Sequence, residues 1–257
     1  MSSDLFSLDG KVAAVVGGGG VLAGAMAEGL AAAGAAVAVL DCHKENGEAC
    51  AASILSQGGK AIAIQNDATR KEELQRALQE VLGSFGCVDV LINAAGVNSA
   101  TPFFEITEAE WQRILDINLK SVFLACQVFG KVMVESGRGG SIINISSASS
   151  GPPLSKVFTY SVTKGGVNQI TQFLAREWAP FKVRVNAIRP GFFPAEQNRA
   201  ILSPERTAQI MNHTPMKRFG EAQELVGAAV YLASEKASSF VTGSILTVDG
   251  GFTATTI

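Results

Sequence analysis

Short apolar runs recur along the 257-residue chain and alternate with longer segments of mixed polarity. Most of these runs are apolar at every position and not at every second one, which is typical of parallel strands covered on both faces. They predict strands over residues 12–16, 36–40, 61–64, 88–92, 141–145, 183–188 and 245–248. The segments between them predict helices over residues 26–33, 45–57, 71–85, 108–135, 160–179 and 223–233.

The alternation of strands and helices predicts an α/β fold. With right-handed crossovers it gives a Rossmann fold, a doubly wound parallel sheet of about seven strands with helices on both faces. No linker, low-complexity tract or internal repeat divides the sequence, so residues 1–257 are interpreted as a single domain.

Residues 192–219 interrupt this pattern with three prolines and mixed polar side chains. They follow a strand that ends in Arg189-Pro190-Gly191. A long excursion at the carboxyl end of a strand predicts a substrate lid, with a surface excursion that has no role in the site as the alternative.

Charge and cysteine content exclude several classes of partner. The chain has 21 Lys and Arg against 23 Asp and Glu, a formal charge of −2, so no nucleic-acid partner and no membrane surface are expected. The four cysteines are scattered and only two histidines occur, which predicts a cytoplasmic protein with reduced thiols and no metal site. Residues 12–40 carry one charged side chain, Glu28, but their seven glycines argue against a membrane-spanning helix.

A glycine-rich turn, GGGGVLAG at residues 17–24, lies between the first predicted strand and the first helix. Glycines there let the backbone approach a pyrophosphate, and the helix N-terminus offers N–H groups to it. Asp41 closes the second strand, 23 residues after Gly18. Its carboxylate can accept hydrogen bonds from the adenosine ribose and would repel a 2′-phosphate, which favours NAD over NADP. His43 and Lys44 weaken this preference, and a tight β–α connection with a solvated or capping Asp41 is the alternative.

Tyr160 and Lys164 are four residues apart on a predicted helix and therefore share a face. A free phenol has a pKa near 10 and is a poor base at neutral pH, but a fixed cation nearby favours the phenolate. The pair therefore predicts a general acid/base with a lowered pKa, with an exposed helical pair as the alternative.

The chain resembles the classical short-chain dehydrogenase/reductase family over nearly its whole length. Ser147 precedes Tyr160 by 13 residues, which is the family spacing. The motifs that carry the resemblance are the turn at residues 18–24, Asn93-Ala94-Ala95-Gly96, Asn118, Ser147, Tyr160 with Lys164, Pro190-Gly191 and Val248-Asp249-Gly250-Gly251.

The resemblance implies an enzyme that moves a hydride between a nicotinamide dinucleotide and a carbonyl or secondary alcohol. It implies that Tyr160 transfers the proton, Lys164 lowers the Tyr160 pKa and holds the nicotinamide ribose, Ser147 binds the substrate oxygen, and Asn118 supports a proton-relaying water. It assigns the dinucleotide to Gly18, Gly20, Leu22, Gly24, Asp41, Asp67, Ala68, Asn93, Ala94, Gly96, Tyr160, Lys164, Pro190, Gly191 and Phe193. It also implies a homotetramer, built partly from the helices over residues 108–135 and 160–179.

Departures from the family pattern occur in the turn and the lid. Leu22 stands where a second glycine is usual, Gly17 replaces a threonine, and Ala195 stands where a threonine often contacts the nicotinamide.

The lid sequence, residues 192–199, resembles sugar-acid members of the family of the D-mannonate oxidoreductase or fructuronate reductase kind. Gln197, Arg199 and Lys156 are the candidate substrate residues, with solvated surface charges as an equal alternative for the two cations. A gluconate 5-dehydrogenase, a 3-oxoacyl-thioester reductase and a catalytically silent dinucleotide sensor remain open as alternative functions.

Overall fold

A computed structural model describes residues 5–194 and 203–254. Its centre is one sheet of seven parallel strands in the order β3-β2-β1-β4-β5-β6-β7. The strands are β1 (Val12–Val16), β2 (Ala36–Asp41), β3 (Lys60–Gln65), β4 (Val90–Asn93), β5 (Gly140–Ile145), β6 (Val183–Pro190) and β7 (Ile245–Val248). The predicted fold class is therefore confirmed.

Helices cover both faces of the sheet. They are α1 (Val21–Ala32), α2 (Lys44–Ser56), α3 (Lys71–Phe85), α4 (Glu108–Leu115), α5 (Ser121–Glu135), α6 (Phe158–Trp178), α7 (Pro204–His213), α8 (Val226–Ala233) and α9 (Glu235–Ser238). One core lies between the sheet and α3, α5 and α6, and a second lies between the sheet and α1, α2 and α8. Successive side chains of β1 enter opposite cores, which is why its sequence is apolar at every position.

Two helix predictions differ from the structure. The first helix begins at Val21 and not at residue 26, because its first turns contain no polar side chain and so show no helical periodicity. The long helix predicted over residues 108–135 is divided by a π-helical turn, Asp116–Lys120. This stretch, Glu108–Glu135, is long and apolar enough to cross a membrane, but 56% of its most apolar window is buried in the fold, as expected for a core helix.

The strand order changes direction between β1 and β4. Doubly wound sheets bind ligands at this point, beyond the carboxyl ends of the strands. Gly17 and Ala94 follow β1 and β4 there, and Ser146 follows β5. The predicted lid contains α7, and its residues 195–202 lie outside the described part of the chain.

Candidate active site

Two clefts open at the carboxyl ends of the strands and form one groove. The first, of about 830 Å³, includes Asp41 and Asp67, and we call it the Asp41 cleft. The second, of about 620 Å³, includes Ser147, Tyr160 and Lys164, and we call it the Tyr160 cleft. The two clefts share Gly17, Gly20, Ala94, Gly96 and Val97, so the glycine turn lies at their junction.

The structure brings Ser147, Tyr160 and Lys164 together in the Tyr160 cleft. Tyr160 and Lys164 are one turn apart on α6, and the Lys164 Nζ lies 5.5 Å from the centroid of the Tyr160 ring. Lys164 is 3% exposed and donates a hydrogen bond to the Ile145 carbonyl at 2.7 Å. Ser147 follows β5 and forms a hydrogen bond with Tyr160. The phenol, a hydroxyl and an ammonium therefore converge on one space.

The pKa of Tyr160 differs from the sequence-based expectation. Burial raises the pKa of Tyr160 above that of a free phenol, and the hydrogen bond with Ser147 lowers it by less. Burial also lowers the pKa of Lys164 to about 8. The expected depression of the tyrosine pKa was wrong for the protein alone, because desolvation of the partly buried phenol outweighs the hydrogen bond with Ser147, which favours the phenolate.

Asn118 lies in the π-helical turn and forms hydrogen bonds with two segments near Lys164, the loop after β4 and helix α6. Its Oδ1 accepts a hydrogen bond from the Val97 backbone N–H at 2.8 Å, and its Nδ2 donates to the Val97 carbonyl at 2.8 Å. The same Nδ2 donates to Thr163 Oγ1 at 3.2 Å, beside Lys164 on α6. The side chain therefore positions the loop after β4 against α6, and its expected role in a water relay stays a prediction.

The glycine turn depends on missing side chains. Gly17 adopts a φ of 75°, and a Cβ there would lie 2.8 Å from the Ala95 backbone nitrogen. Gly18 is buried beneath the turn and does not line the groove, while Gly20 caps α1 and lines both clefts. Leu22 fits because it lies in the first turn of α1, where it lines the Tyr160 cleft.

The remaining glycines have separate roles. Gly24 packs close to the Gly18 carbonyl, which lets α1 lie against the turn. At Gly96 a Cβ would lie 3.5 Å from Asn118 Oδ1 and 3.6 Å from Lys164 Nζ, so it would fill open groove space at ordinary contact distances. Gly96 thus keeps the junction of the two clefts open beside Lys164.

Asp41 holds the glycine turn in the Asp41 cleft. Its Oδ2 accepts a hydrogen bond from the Gly19 N–H at 3.0 Å, and its Oδ1 accepts one from the His43 N–H at 2.9 Å. Asp41 is 8% exposed, and each carboxylate oxygen can still accept a second donor. Cys42 completes a group of three potential metal ligands here whose ligating atoms lie within 4.8 Å, but the Asp41 oxygens already accept two backbone N–H groups.

Asn66 was not predicted and lies at the end of β3 in the Asp41 cleft. Its Nδ2 and Oδ1 are buried and have no hydrogen-bond partner among the described residues. An amide left in this state costs free energy, so it is expected to bind a planar polar ligand group. Asp67 and Ala68 line the same cleft, as predicted, with Asp67 Oδ1 accepting hydrogen bonds from the Thr69 N–H and hydroxyl.

Asn93 is placed differently from the prediction. Its side chain is buried in the sheet and does not line either cleft. It donates to Asn144 Oδ1 at 2.9 Å, and Asn144 donates to Thr171 Oγ1 at 2.9 Å. A side chain at the end of a central strand can point into the interior or into the groove. The side chain of Asn93 points into the interior, where its hydrogen-bond partner Asn144 lies.

The predicted nicotinamide-side residues line the Tyr160 cleft: Ala94, Gly96, Pro190, Gly191 and Phe193. The predicted substrate residues do not. Lys156 is exposed on the loop before α6, with a φ of 70°, and is not among the residues that line the cleft. Gln197 and Arg199, like Ala195, lie outside the described residues.

Arg206 lines the Tyr160 cleft and was missed in the sequence. It lies in the first turn of α7, where Ser203 accepts a hydrogen bond from the Arg206 N–H at 3.2 Å. Ser203-Pro204 is a recognisable helix start and could have located α7. Nothing in the sequence pattern indicated that Arg206 would face the site.

The groove fits a nicotinamide dinucleotide. The orphaned Asn66 amide suits the edge of a nucleobase, the turn at Gly20 and the N-terminus of α1 suit a pyrophosphate, and the open space at Gly96 suits a ribose beside Lys164. Asp41 lies in the same cleft as Asn66, is bonded to the glycine turn through Gly19, and supplies an acceptor for ribose hydroxyls.

Comparison with known proteins supports this reading of the groove. A family model described as enoyl-(acyl carrier protein) reductase matches residues 20–253. The 5-keto-D-gluconate 5-reductase of Escherichia coli (strain K12) is 37% identical over 97% of this chain and 98% of its own. A gluconate 5-dehydrogenase from Burkholderia cenocepacia, solved with NADP and tartrate, has a TM-score of 0.94 and 33% identity over 100% of both chains. A proposed D-mannonate oxidoreductase from Haemophilus influenza, solved with NAD, has a TM-score of 0.92 and 34% identity over 97% of both.

Proposed function

This chain belongs to the short-chain dehydrogenase/reductase family, and we propose that it interconverts a hydroxyl and a carbonyl group of a sugar acid with NAD(H). As a member of that family it is an oxidoreductase that acts on CH–OH groups with a nicotinamide dinucleotide. The observation that carries the proposal is the convergence of Ser147, Tyr160 and Lys164 at the end of a groove that fits the dinucleotide.

The chain's own residues account for the proton and the oxygen. When bound, the nicotinamide supplies or accepts the hydride. Tyr160 donates its hydroxyl proton to the carbonyl oxygen during reduction and takes it back during oxidation. Ser147 donates a hydrogen bond to the same oxygen and stabilises the charge that develops there. Lys164 places a cation beside the phenol ring and holds its position through the Ile145 carbonyl.

The raised pKa of Tyr160 sets the direction of its pH dependence. A phenol kept protonated by burial is a competent acid at neutral pH, so reduction of the carbonyl is expected to proceed there. Oxidation of the alcohol needs the phenolate and is expected to accelerate as the pH rises.

NAD is the proposed cofactor. The Asp41 carboxylate would lie next to a 2′-phosphate, and the Lys44 ammonium lies 3.6 Å from Glu48 Oε1, which offsets its charge. NADP remains the alternative, because the related gluconate 5-dehydrogenase was solved with it.

The substrate is proposed to be a sugar acid of the D-mannonate or D-fructuronate type. The main alternative is a gluconate 5-dehydrogenase or 5-keto-gluconate reductase activity, as named for two of the relatives. A 3-oxoacyl-thioester reductase is disfavoured by Asp41, because such an enzyme would prefer NADPH. A silent dinucleotide sensor would not require Ser147, Tyr160 and Lys164 to converge.

We also propose a homotetramer located in the cytoplasm. On the two helices proposed for the interface, Phe123 and Phe173 are 46% and 62% exposed, which suits an interface. Val128 and Phe129 are buried in the core of the subunit instead. Sedimentation velocity is expected to give four times the mass of the 26.8 kDa chain.

The proposed function is tested by following NADH absorbance with a substrate panel. The panel holds D-mannonate, D-fructuronate, D-gluconate, 5-keto-D-gluconate, the matching alditols and a 3-oxoacyl thioester, each with NAD(H) and NADP(H). Turnover of a sugar acid with NAD(H) is expected, and Tyr160→Phe is expected to lower kcat by about 10³-fold.

A wild-type protein that reduces only the thioester would replace the sugar acid by an acyl substrate. Full turnover by Tyr160→Phe would remove this residue as the proton donor. Binding of NADH without turnover of any compound in the panel would favour the sensor.

A further inference from the structure

The Tyr160 cleft has an unbalanced charge. Among the described residues that line it, the charged side chains are Lys164 and Arg206, and no Asp or Glu is present. Lys164 is buried at the floor, where its ammonium is bound to the Ile145 carbonyl. Arg206 is half-buried on α7, at the wall that belongs to the lid region.

Arg206 bridges the lid and the loop before the catalytic helix. Its Nη1 donates to Ser155 Oγ at 3.0 Å, and its Nη2 lies 3.5 Å from the Ser155 carbonyl. Nη1 also lies 3.4 Å from Gln209 Oε1 on the next turn of α7. These contacts are to neutral groups, and Arg206 forms no ion pair with a carboxylate of residues 5–194 or 203–254.

The guanidinium retains hydrogen-bonding capacity. It has five N–H donors, and the three contacts just described use two on Nη1 and one on Nη2. Its Nε–H and the second Nη2–H are therefore not used by the described residues. Two adjacent N–H groups of this kind match the two oxygens of a carboxylate.

We propose that Arg206 binds the carboxylate of the substrate and so selects acids over neutral polyols. The inference rests on the proposed function and adds the group that recognises the charge. Lys164 is committed to the ribose side of the groove, whereas Arg206 faces the cleft from the opposite element. The substrate would then be held at two points, with its reacting carbon at Ser147 and Tyr160 and its carboxylate at the lid wall.

The test compares an acid with its matched neutral alcohol. D-Mannonate and D-gluconate are measured against D-mannitol and D-glucitol, in which a CH₂OH group replaces the carboxylate. For Arg206→Met, KM for the acid is expected to rise about tenfold to a hundredfold, the range for a hydrogen bond between charged groups. Activity with the alditol is expected to stay the same, and Arg206→Lys is expected to fall between the two because it keeps the charge but loses the paired donors.

Two variants serve as controls. Lys156→Met removes an exposed cation from the neighbouring loop without altering the cleft lining and is expected to leave KM unchanged. Ser155→Ala removes one anchor of the guanidinium but keeps its charge, so a smaller rise in KM is expected. NADH affinity and the melting temperature of each variant show whether the fold is preserved. If Arg206→Met fails to fold, the ratio of acid to alditol activity in Arg206→Lys tests the role of Arg206.

The outcomes separate the two proposals. An unchanged ratio of acid to alditol activity in both Arg206 variants, with sugar-acid turnover by the wild type, would overturn the role of Arg206 and leave the function in place. A wild type that oxidises alditols and no sugar acid would overturn both. Equal losses for acid and alditol would make Arg206 a structural link between α7 and the loop and no determinant of specificity.

Discussion

The two ends of the groove carry opposite charge. The Asp41 cleft contains three carboxylates, Asp41, Asp67 and Asp116, against the cation Arg113. The Tyr160 cleft contains Lys164 and Arg206 and no acid among its described residues. Charges of one sign at a site favour ligand groups of the other sign and exclude those of the same sign. Under the proposed function, the acidic end would select against an extra phosphate on the cofactor, and the basic end would select for an acid among substrates.

This comparison also separates binding from chemistry. The groups proposed to transfer or stabilise charge on the substrate lie at the Tyr160 end, and the groups proposed to select the cofactor lie at the Asp41 end. Substitutions at one end should therefore leave the other end's property unchanged.

The largest expected effect is that of Ser147→Ala. Loss of the hydroxyl removes a donor to the substrate oxygen, and kcat for carbonyl reduction is expected to fall about 10²- to 10³-fold. The hydrogen bond with Ser147 lowers the pKa of Tyr160, so its loss raises that pKa and moves the alkaline limb of the pH profile upward. Steady-state rates across pH measure both, with NADH affinity unchanged.

Ser149→Ala is the matched control. It removes the hydroxyl that bonds to Ser147 Oγ at 3.1 Å but keeps Ser147 itself. A loss of NADH affinity in Ser147→Ala as large as the loss of rate would contradict the separation of the two ends.

The second effect is on stability, through Lys164→Met. Burial lowers the pKa of Lys164 to about 8, below that of an unfolded lysine, so below pH 8 the fold carries the cost of a buried charge. Between that pH and about 10.4 the unfolded chain binds more protons, and wild-type stability rises with pH. At pH 7 the variant is expected to be more stable by up to about 3 kcal/mol, an advantage that shrinks towards pH 10.

Denaturant unfolding of the cofactor-free proteins at several pH values measures this difference. Lys131→Met on the surface of α5 is the control, with an expected change within about 0.5 kcal/mol. A Lys164→Met protein less stable than wild type throughout would mean that the bond to the Ile145 carbonyl outweighs the desolvation of the ammonium.

The smallest effect is expected at the acidic end. Asp41→Ala removes the acceptor of the Gly19 and His43 N–H groups and the repulsion of a 2′-phosphate. NADH affinity is expected to fall about tenfold to a hundredfold, and NADPH affinity to fall less or rise. Fluorescence titration with both cofactors measures the ratio, and Cys42→Ala is the control. Equal losses for NADH and NADPH would show that Asp41 only supports the turn.

Much of the fold could be predicted because the sheet is covered on both faces. β1 is apolar at every position and β2 at every position but its last, and no other element produces such short uniform runs between helices. The start of α1 was missed because residues 21–25 contain no polar side chain to show a helical period. The π-helical turn at Asp116–Lys120 does not alter the helical pattern of the sequence.

The site was predictable where its geometry is local. Tyr160 and Lys164 are one helical turn apart, so their proximity follows from the sequence. Arg206 contacts Ser155 across 51 positions of the chain, and no local periodicity reports such a contact. The sign of the Tyr160 pKa shift depends on how far the ring is buried, which the spacing of residues does not show. The side chain of Asn93 bonds to Asn144 on β5, and spacing does not show that contact either.

The hydrogen bonds from Asn93 to Asn144 and from Asn144 to Thr171 run from β4 through β5 to the helix that carries the phenol. Contacts between apolar side chains tolerate small sliding movements of a helix over a sheet. A buried amide that is moved by one position loses its hydrogen-bond partner and the free energy of that bond. This chain of hydrogen bonds therefore fixes the position of α6 relative to β4 and β5. Under the proposed function, the position from which Tyr160 reaches the substrate is set in part by three uncharged residues that line neither cleft.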